Sequence, residues 1–539
     1  MRFSLLCYFF LLGFISYGQE TDLLRQRLEN TDASVGLEVR GRSIQNFGEL
    51  FKFYSSRDFQ FVWSKEARIG ELAYEGRYEL EQAKFDGLQP SDYHWDLINT
   101  LIENYESNKK IDEKSDWTDL VDLELLLSDG LIQLAKHLHV GKVDPSELQW
   151  GWEIIQTKES FDPIAFLNQI EQTQRVRSNI FQYYPEFRIY LRGREILRNL
   201  SELSKVDSLD WSSLSVNKSI KVGDSHSLIP EIRERLQFWG YAGGNDLTER
   251  IYDSLLMKSV QAYQSFHGMT SDGIIGKNTL ASLSQSPKDM MDKVAVNLER
   301  LRWLDGKKNG SKAILVNIAD YKLVLLDKED TIFQSKVIVG KSYHQSPVFE
   351  AKMSYLVFSP YWNIPESIVR NEIIPSVRKN PNYLTQKNME VLTYNREVVD
   401  PSIIDWKKRT IPYLVRQKPG PQNSLGLVKF MFPNKHSVYI HDTPAKSLFG
   451  REERALSHGC IRLEKPRELA QLLLQDQKEW NDQKIWDAMN SQQEQTVNLK
   501  EKIPVYLIYL TFWADATGKP NYRPDIYGRD EEVLTLLRK

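Results

Sequence analysis
Two short runs, within 24 positions of each other, carry residues suited to acyl transfer: Tyr439-Ile440-His441-Asp442-Thr443-Pro444 and Ser457-His458-Gly459-Cys460-Ile461-Arg462. Cysteine is a good nucleophile only as the thiolate, and a nearby imidazole is the usual base that forms it. A glycine just before the cysteine lets the backbone approach a substrate closely and leaves N–H groups free to hold an oxyanion. Arg462 can hold a substrate carboxylate or brace the loop. Two imidazoles compete to be the base. His458 is two residues from Cys460, so in extended chain their side chains share a face, although Gly459 between them loosens that geometry. His441 closes a predicted strand and can approach from a neighbouring one. Spacing alone leaves both open.

Two other readings use the same residues. His436, His441, His458 and Cys460 could be counted as four zinc ligands. However, His436 and His441 are five apart, and on one strand an odd spacing sends them to opposite faces. The plainest alternative is a buried, inert cysteine with its histidines satisfied elsewhere. The chain has one other cysteine, Cys7. It lies in a run that reads as a secretion signal: Arg2, then apolar residues from Phe3 to Ile15, then Ser16-Tyr17-Gly18 with small residues at the −3 and −1 positions for cleavage before Gln19. The run is short for a bilayer span, and a retained anchor is the alternative. Cleavage would leave Cys460 as the sole thiol, so no internal disulfide could form.

The elements that must position these groups follow from period and punctuation. From 311 to about 513 the pattern alternates, as in Ile314, Val316 and Ile318. Strand-like runs are Tyr321–Leu326, Ile332–Val339, Tyr355–Phe358, Leu427–Phe432, Ser437–His441 and Val505–Phe512, which predicts a β sandwich or barrel-like sheet. A proline-rich stretch, 365–422, interrupts it, and an insertion of that length is often a lid. Residues 464–499 read as helical and polar, and 514–539 as a C-terminal tail. Residues 226–286 read as a small helical unit: Ile229, Ile232, Leu236 and Trp239 mark one helix, and Leu256, Val260, Tyr263 and Phe266 another. Residues 19–215 are helical by pattern, with Leu123, Leu127, Leu131, Leu134 and Leu138 on one face. The length, 539 residues, suits about three domains. The hydrophobic fraction of 41% and charged fraction of 27% allow large buried cores. The net charge of −3 lacks the basic surplus of a nucleic-acid binder.

The 226–286 unit, with Asp272-Gly273, Gly276 and Thr279, resembles the peptidoglycan-binding domain of cell-wall hydrolases. The pattern His441-x-Thr443 … Ser457-His458-Gly459-Cys460-x-Arg462 resembles the L,D-transpeptidase catalytic domain, or YkuD domain. The order of helical scaffold, peptidoglycan-binding segment and catalytic domain resembles the large YcbB-type members. So do the stretches Phe53–Phe59, Asp86-Gly87-Leu88, Gly141–Pro145, Tyr361–Pro365 and Pro419–Gly426. The resemblance implies a multidomain α+β chain: helical scaffold, three-helix binding domain, and a mostly-β catalytic domain whose insertion is a capping subdomain. It implies that Cys460 is acylated, that His441 is the base oriented by the Asp442 carbonyl, that His458 and Gly459 shape the oxyanion region, and that Arg462 supports the loop. Tyr439, Ser457 and Asp442 are the substrate-side candidates. The implied reaction releases D-alanine from a tetrapeptide stem, then passes the acyl group from Cys460 to a diaminopimelate amine, making a 3→3 crosslink. Water as acceptor would make an L,D-carboxypeptidase, and a silent domain a peptidoglycan-binding scaffold. No metal or organic cofactor is implied. Also implied are acylation by carbapenems, export to the periplasm or cell envelope, and contact with other cell-wall synthesis proteins.

Overall fold
The computed structural model describes residues 21–32, 36–107, 113–154, 160–241, 246–304, 312–328 and 330–539, without the side chains of 113–116. The signal-like segment lies outside them, as does most of the glycine-rich turn after Tyr241. Among the described residues, no helix is long and apolar enough to cross a membrane.

Eight strands of the C-terminal domain close on themselves. Lys312–Asn317 pairs with Lys322–Asp327, which pairs with Asp330–Gly340. Asp330–Gly340 pairs with Ile461–Leu463, then comes Ile440–His441, then Val428–Met431. Val428–Met431 pairs with Val348–Phe358, that with Gln495–Ile508, and Gln495–Ile508 runs parallel to the first strand. A closed ring leaves no long edge to blunt. Ile314, Val316, Leu323, Leu325, Val337, Val339, Phe430, Ile440, Ile461 and Val505 belong to one buried core. Only two residues of the expected Ser437–His441 strand are strand, because Ser437 takes φ +54° and turns the chain. The 464–499 stretch holds two helices, Pro466–Leu474 and Asp482–Asn490, before the last barrel strand begins at Gln495.

The proline-rich insertion folds on its own core. Trp362–Asn363, Leu414–Gln417, Met389–Leu392 and Val398–Val399 form a four-stranded sheet in that order. Short helical turns from Glu366 to Lys379 pack on it through Val369, Ile373, Ile374 and Val377. The insertion leaves the barrel after Phe358 and returns at Val428, and those two residues face each other in register. The cap therefore springs from a single point on the barrel wall.

The small helical unit has helices Ile229–Phe238, Ser254–Phe266 and Lys277–Leu283 around a separate core. Gln264 stitches its loop: Gly273 N–H donates to the Gln264 side-chain oxygen, and the Gln264 amide donates to the Ile274 carbonyl.

The helical region is joined to the barrel by more than chain connectivity. Its long helix Glu113–Val140 buries the leucine face read from sequence, and it buries Asp122, Glu124 and Asp129 as well. Each of those carboxylates has partners, including Arg27 and Arg40 for Asp122 and His94 for Asp129, as buried charge requires. Trp152–Glu153 adds a parallel strand beside Val348–Phe349 of the barrel. Residues 514–539 are not a loose tail, because they hold the strand Pro520–Tyr522 and the helix Asp530–Leu537. Those elements bind back: the Lys142 ammonium donates to the Leu537 carbonyl and the Arg538 guanidinium to the Gly87 carbonyl.

Candidate active site
The parallel strands Ile440–His441 and Ile461–Leu463 set the site. Ile440 stands opposite Ile461 and His441 opposite Arg462. The Ile461 N–H donates to the Tyr439 carbonyl at 3.1 Å, which brings Tyr439 level with Cys460. Side chains alternate along a strand. Ile440 and Ile461 point into the barrel core, so Tyr439, His441, Cys460 and Arg462 share the opposite face. The Tyr439 and His441 rings are 5.6 Å apart.

Cys460 is half-buried, with Sγ 3.8 Å from the Ser437 carbonyl oxygen. The Tyr439 hydroxyl lies close enough to act on the sulfur. Burial pushes the thiol pKa up, while the bonds from Tyr439 and the Arg462 charge pull the other way. His441 is 4% exposed and is pushed in the opposite sense. Burial, helped by the Arg462 charge, lowers its pKa to about 3 against the pull of the Asp442 and Leu425 carbonyls. Its Nδ1 donates to the Asp442 carbonyl oxygen at 2.5 Å. That bond sets the tautomer and leaves the Nε2 lone pair as the proton acceptor. The resting site is therefore a protonated thiol beside a neutral imidazole.

The residues around them divide by what they touch. Ser457 and Asp442, read as substrate-side, are buried and hydrogen-bonded within the protein. Ser457 Oγ donates to the Cys460 carbonyl at 2.6 Å and accepts the Gly459 N–H at 3.0 Å. Asp442 accepts the Leu427 N–H and the Lys446 ammonium, one on each carboxylate oxygen. Both side chains hold the loop in place. Gly459 has φ +113°, a backbone shape that strains any other residue, but its N–H is spent on Ser457. Among the described residues the amides of His458 and Cys460 have no partner, so those N–H groups are the available oxyanion donors. The His458 ring meets the cap. Its Nε2 lies 2.7 Å from the Glu372 carboxylate of the cap. Arg462 is lowered in pKa by burial, and its buried Nε has no partner among the described residues. Sequence reasoning missed Glu372 altogether: nothing around it in the chain marks it, and only the folded cap brings it here.

The four candidate zinc donors do not converge. His436 bonds Glu153 of the helical region at 2.7 Å, His458 bonds Glu372, and His441 bonds its own chain. Elsewhere, a pocket of about 240 Å³ lies between the small helical unit and the barrel, lined by Gln264, Asp272, Lys277, Asn278, Thr279 and Glu452.

Comparison with known proteins agrees with this layout. Residues 311–488 match the model of the L,D-transpeptidase catalytic domain (YkuD), 48–197 that of the Scaffold domain, and 225–283 that of the "Putative peptidoglycan binding domain". A "Putative L,D-transpeptidase" of Haemophilus influenzae is 31% identical over 315 residues, which are 56% of this chain and 63% of the relative. The match thus spans under two thirds of that relative's length. Among solved structures, the L,D-transpeptidase (residues 123–326) of Xylanimonas cellulosilytica is 12% identical, with 55% of this chain and 100% of that one covered, at a TM-score of 0.16. That of Stackebrandtia nassauensis is 11% identical, with 54% and 94% covered, at 0.21. Overlaps so poor have no bearing on the fold. In chain order, then, the protein carries regions that match a Scaffold domain, a putative peptidoglycan binding domain and a YkuD L,D-transpeptidase catalytic domain.

Proposed function
We propose that this protein is a cysteine L,D-transpeptidase that forms 3→3 crosslinks in peptidoglycan, in the cell envelope. The supporting observation is the shared face: thiol, neutral imidazole with an open Nε2, and guanidinium, all on one pair of parallel strands. His441 Nε2 takes the Cys460 proton as Sγ attacks the carbonyl of the L-centre of diaminopimelate. The oxyanion forms against the free amides of His458 and Cys460. The proton on His441 then passes to the departing D-alanine amine, leaving a thioester. The Arg462 guanidinium supplies positive charge beside the thiol. A diaminopimelate amine of a second stem resolves the thioester, and the peptidoglycan-binding domain keeps the wall at hand.

The test uses the purified protein, tetrapeptide stems and mass spectrometry. Wild type is expected to give an adduct on Cys460, with stems or with a carbapenem, and crosslinked dimers. Cys460→Ala is expected to give neither while melting normally. Dimers from Cys460→Ala would refute the assignment of the nucleophile. Tripeptides without dimers from wild type would make the enzyme an L,D-carboxypeptidase, and an unmodified wild-type mass would make it a silent scaffold.

A further inference from the structure
The cap reaches the catalytic loop through one carboxylate. Glu372 sits in the turn Val369–Ile373, which is wound as a π-helix, a local form found often at functional sites. One oxygen of Glu372 is 2.7 Å from His458 Nε2, and its charge also acts on Arg462. Glu372 therefore stands over the two polar residues that flank Cys460 in the chain. Its side chain is 50% exposed, and its other oxygen has no partner among the described residues. An ion pair so open to water stabilises by about 0–1 kcal/mol, which makes a weak latch for a subdomain. The same pair is better suited to receiving a ligand: an open carboxylate attracts a cation, and the imidazole bonded to it can take a proton.

The reaction proposed above needs such a place. Its second substrate is a primary amine, which is an ammonium at neutral pH and cannot attack until it loses a proton. His441, neutral again once D-alanine has left, serves the second proton, which leaves nitrogen after the attack. We propose that Glu372 and His458 form the acceptor subsite, which binds the ammonium of the incoming stem and deprotonates it. This rests on the reading of Cys460 as the acylated nucleophile. In the step itself, the ammonium pairs with Glu372. His458, bonded to Glu372 through Nε2, accepts one proton at Nδ1 and releases it to solvent. The free amine attacks the thioester carbonyl, the C–N bond forms, and the C–S bond breaks. The second amine proton passes through His441 to the departing sulfur. The balance is thioester plus ammonium giving amide, thiol and one proton.

The two half-reactions separate this proposal from a cap that simply closes. Wild type, Glu372→Gln and Glu372→Asp are each given a tetrapeptide stem ending in meso-diaminopimelate and D-alanine. Mass spectrometry follows the adduct on Cys460 and the ratio of dimer to tripeptide as a second stem with a free side-chain amine is titrated in. Glu372→Gln is expected to acylate as fast as wild type, yet lose dimer relative to tripeptide by about tenfold or more, with a higher half-saturating acceptor concentration. Glu372→Asp should recover part of the ratio. An unchanged ratio overturns the subsite, as does an equal loss in both half-reactions or a faster acylation at constant ratio, both marks of a latch. Wild type that never acylates refutes the nucleophile, and the subsite with it.

Discussion
Burial acts in opposite directions on the Cys460 thiol and the His441 imidazole, because one ionises by losing a proton and the other by gaining one. It raises the Cys460 thiol and lowers His441 to about 3, so the proton stays on sulfur until a substrate arrives. Tyr439 is the counterweight, because a hydroxyl donated to sulfur favours the thiolate. Tyr439→Phe is therefore expected to move the pH profile of Cys460 alkylation to higher pH. At neutral pH the labelling rate should fall about tenfold, the scale of one hydrogen bond to a charged group. Iodoacetamide labelling of the folded protein measures both, and a profile displaced to lower pH would mean that Tyr439 opposes the thiolate.

One loop and two short strands convert these side chains into a site. Ser457 ties the Gly459 amide and the Cys460 carbonyl together from inside the turn. Ser457→Ala leaves both buried groups unmet and is expected to cost about 1–3 kcal/mol in urea denaturation, with a slower carbapenem adduct on Cys460. The Asp442 side of the site depends on Gly426 in the same way. Gly426 has φ +64°, and a Cβ there would lie 2.4 Å from the Asp442 carboxyl carbon. Gly426→Ala is expected to displace Asp442, whose carbonyl orients His441. Beyond a strain of about 1–2 kcal/mol, it should therefore lower the rate of Cys460 acylation. Unchanged acylation with reduced stability would uncouple this turn from His441.

At the scale of the whole molecule, helix Pro287–Arg302 is the keystone. Arg302 is fully buried, paired with Glu299, and donates to the Asp86 carbonyl and the Tyr190 hydroxyl. Glu299 in turn accepts from the Val143 amide and the Trp303 ring. Asp86-Gly87 and Gly141–Pro145 thus have a physical role: they seat the scaffold on the helix that leads into the barrel. Arg302→Met strands the Glu299 charge and is expected to cost about 3–5 kcal/mol, read as a lower midpoint in denaturant. Acid should loosen the molecule for a related reason. His137, His267 and His441 are each lowered by burial to about 3. The unfolded chain protonates them near the ordinary value of about 6.5, so it binds more protons than the fold between those values. Their contribution is complete above pH ~6.5 and is lost progressively as pH falls toward 3. Thermal melts across that range should show a falling midpoint, and a midpoint that rises on acidification would contradict it.

Residue types and local periods were enough to mark the succession of domains and to single out Cys460, both histidines and Arg462 as candidates. Acyl transfer needs those types close together, and each core announces itself within a helix or strand. The choice between His441 and His458 was not local. It depends on the register of two parallel strands, and alternation then puts His441 on the face of Cys460, while His458 leaves the strand and turns to the cap. Ser457 and Asp442 looked free in the sequence because their type says nothing of burial. The fold spends them on backbone amides and on Lys446. Glu372 had no signature at all, since an insertion places its side chains by the point where it leaves the barrel and returns. Sequence by itself determined in what order the domains stand and which residues are candidates for chemistry. Tertiary structure decided which groups meet, because register, burial and the seat of the cap arise from pairings between segments far apart in the chain.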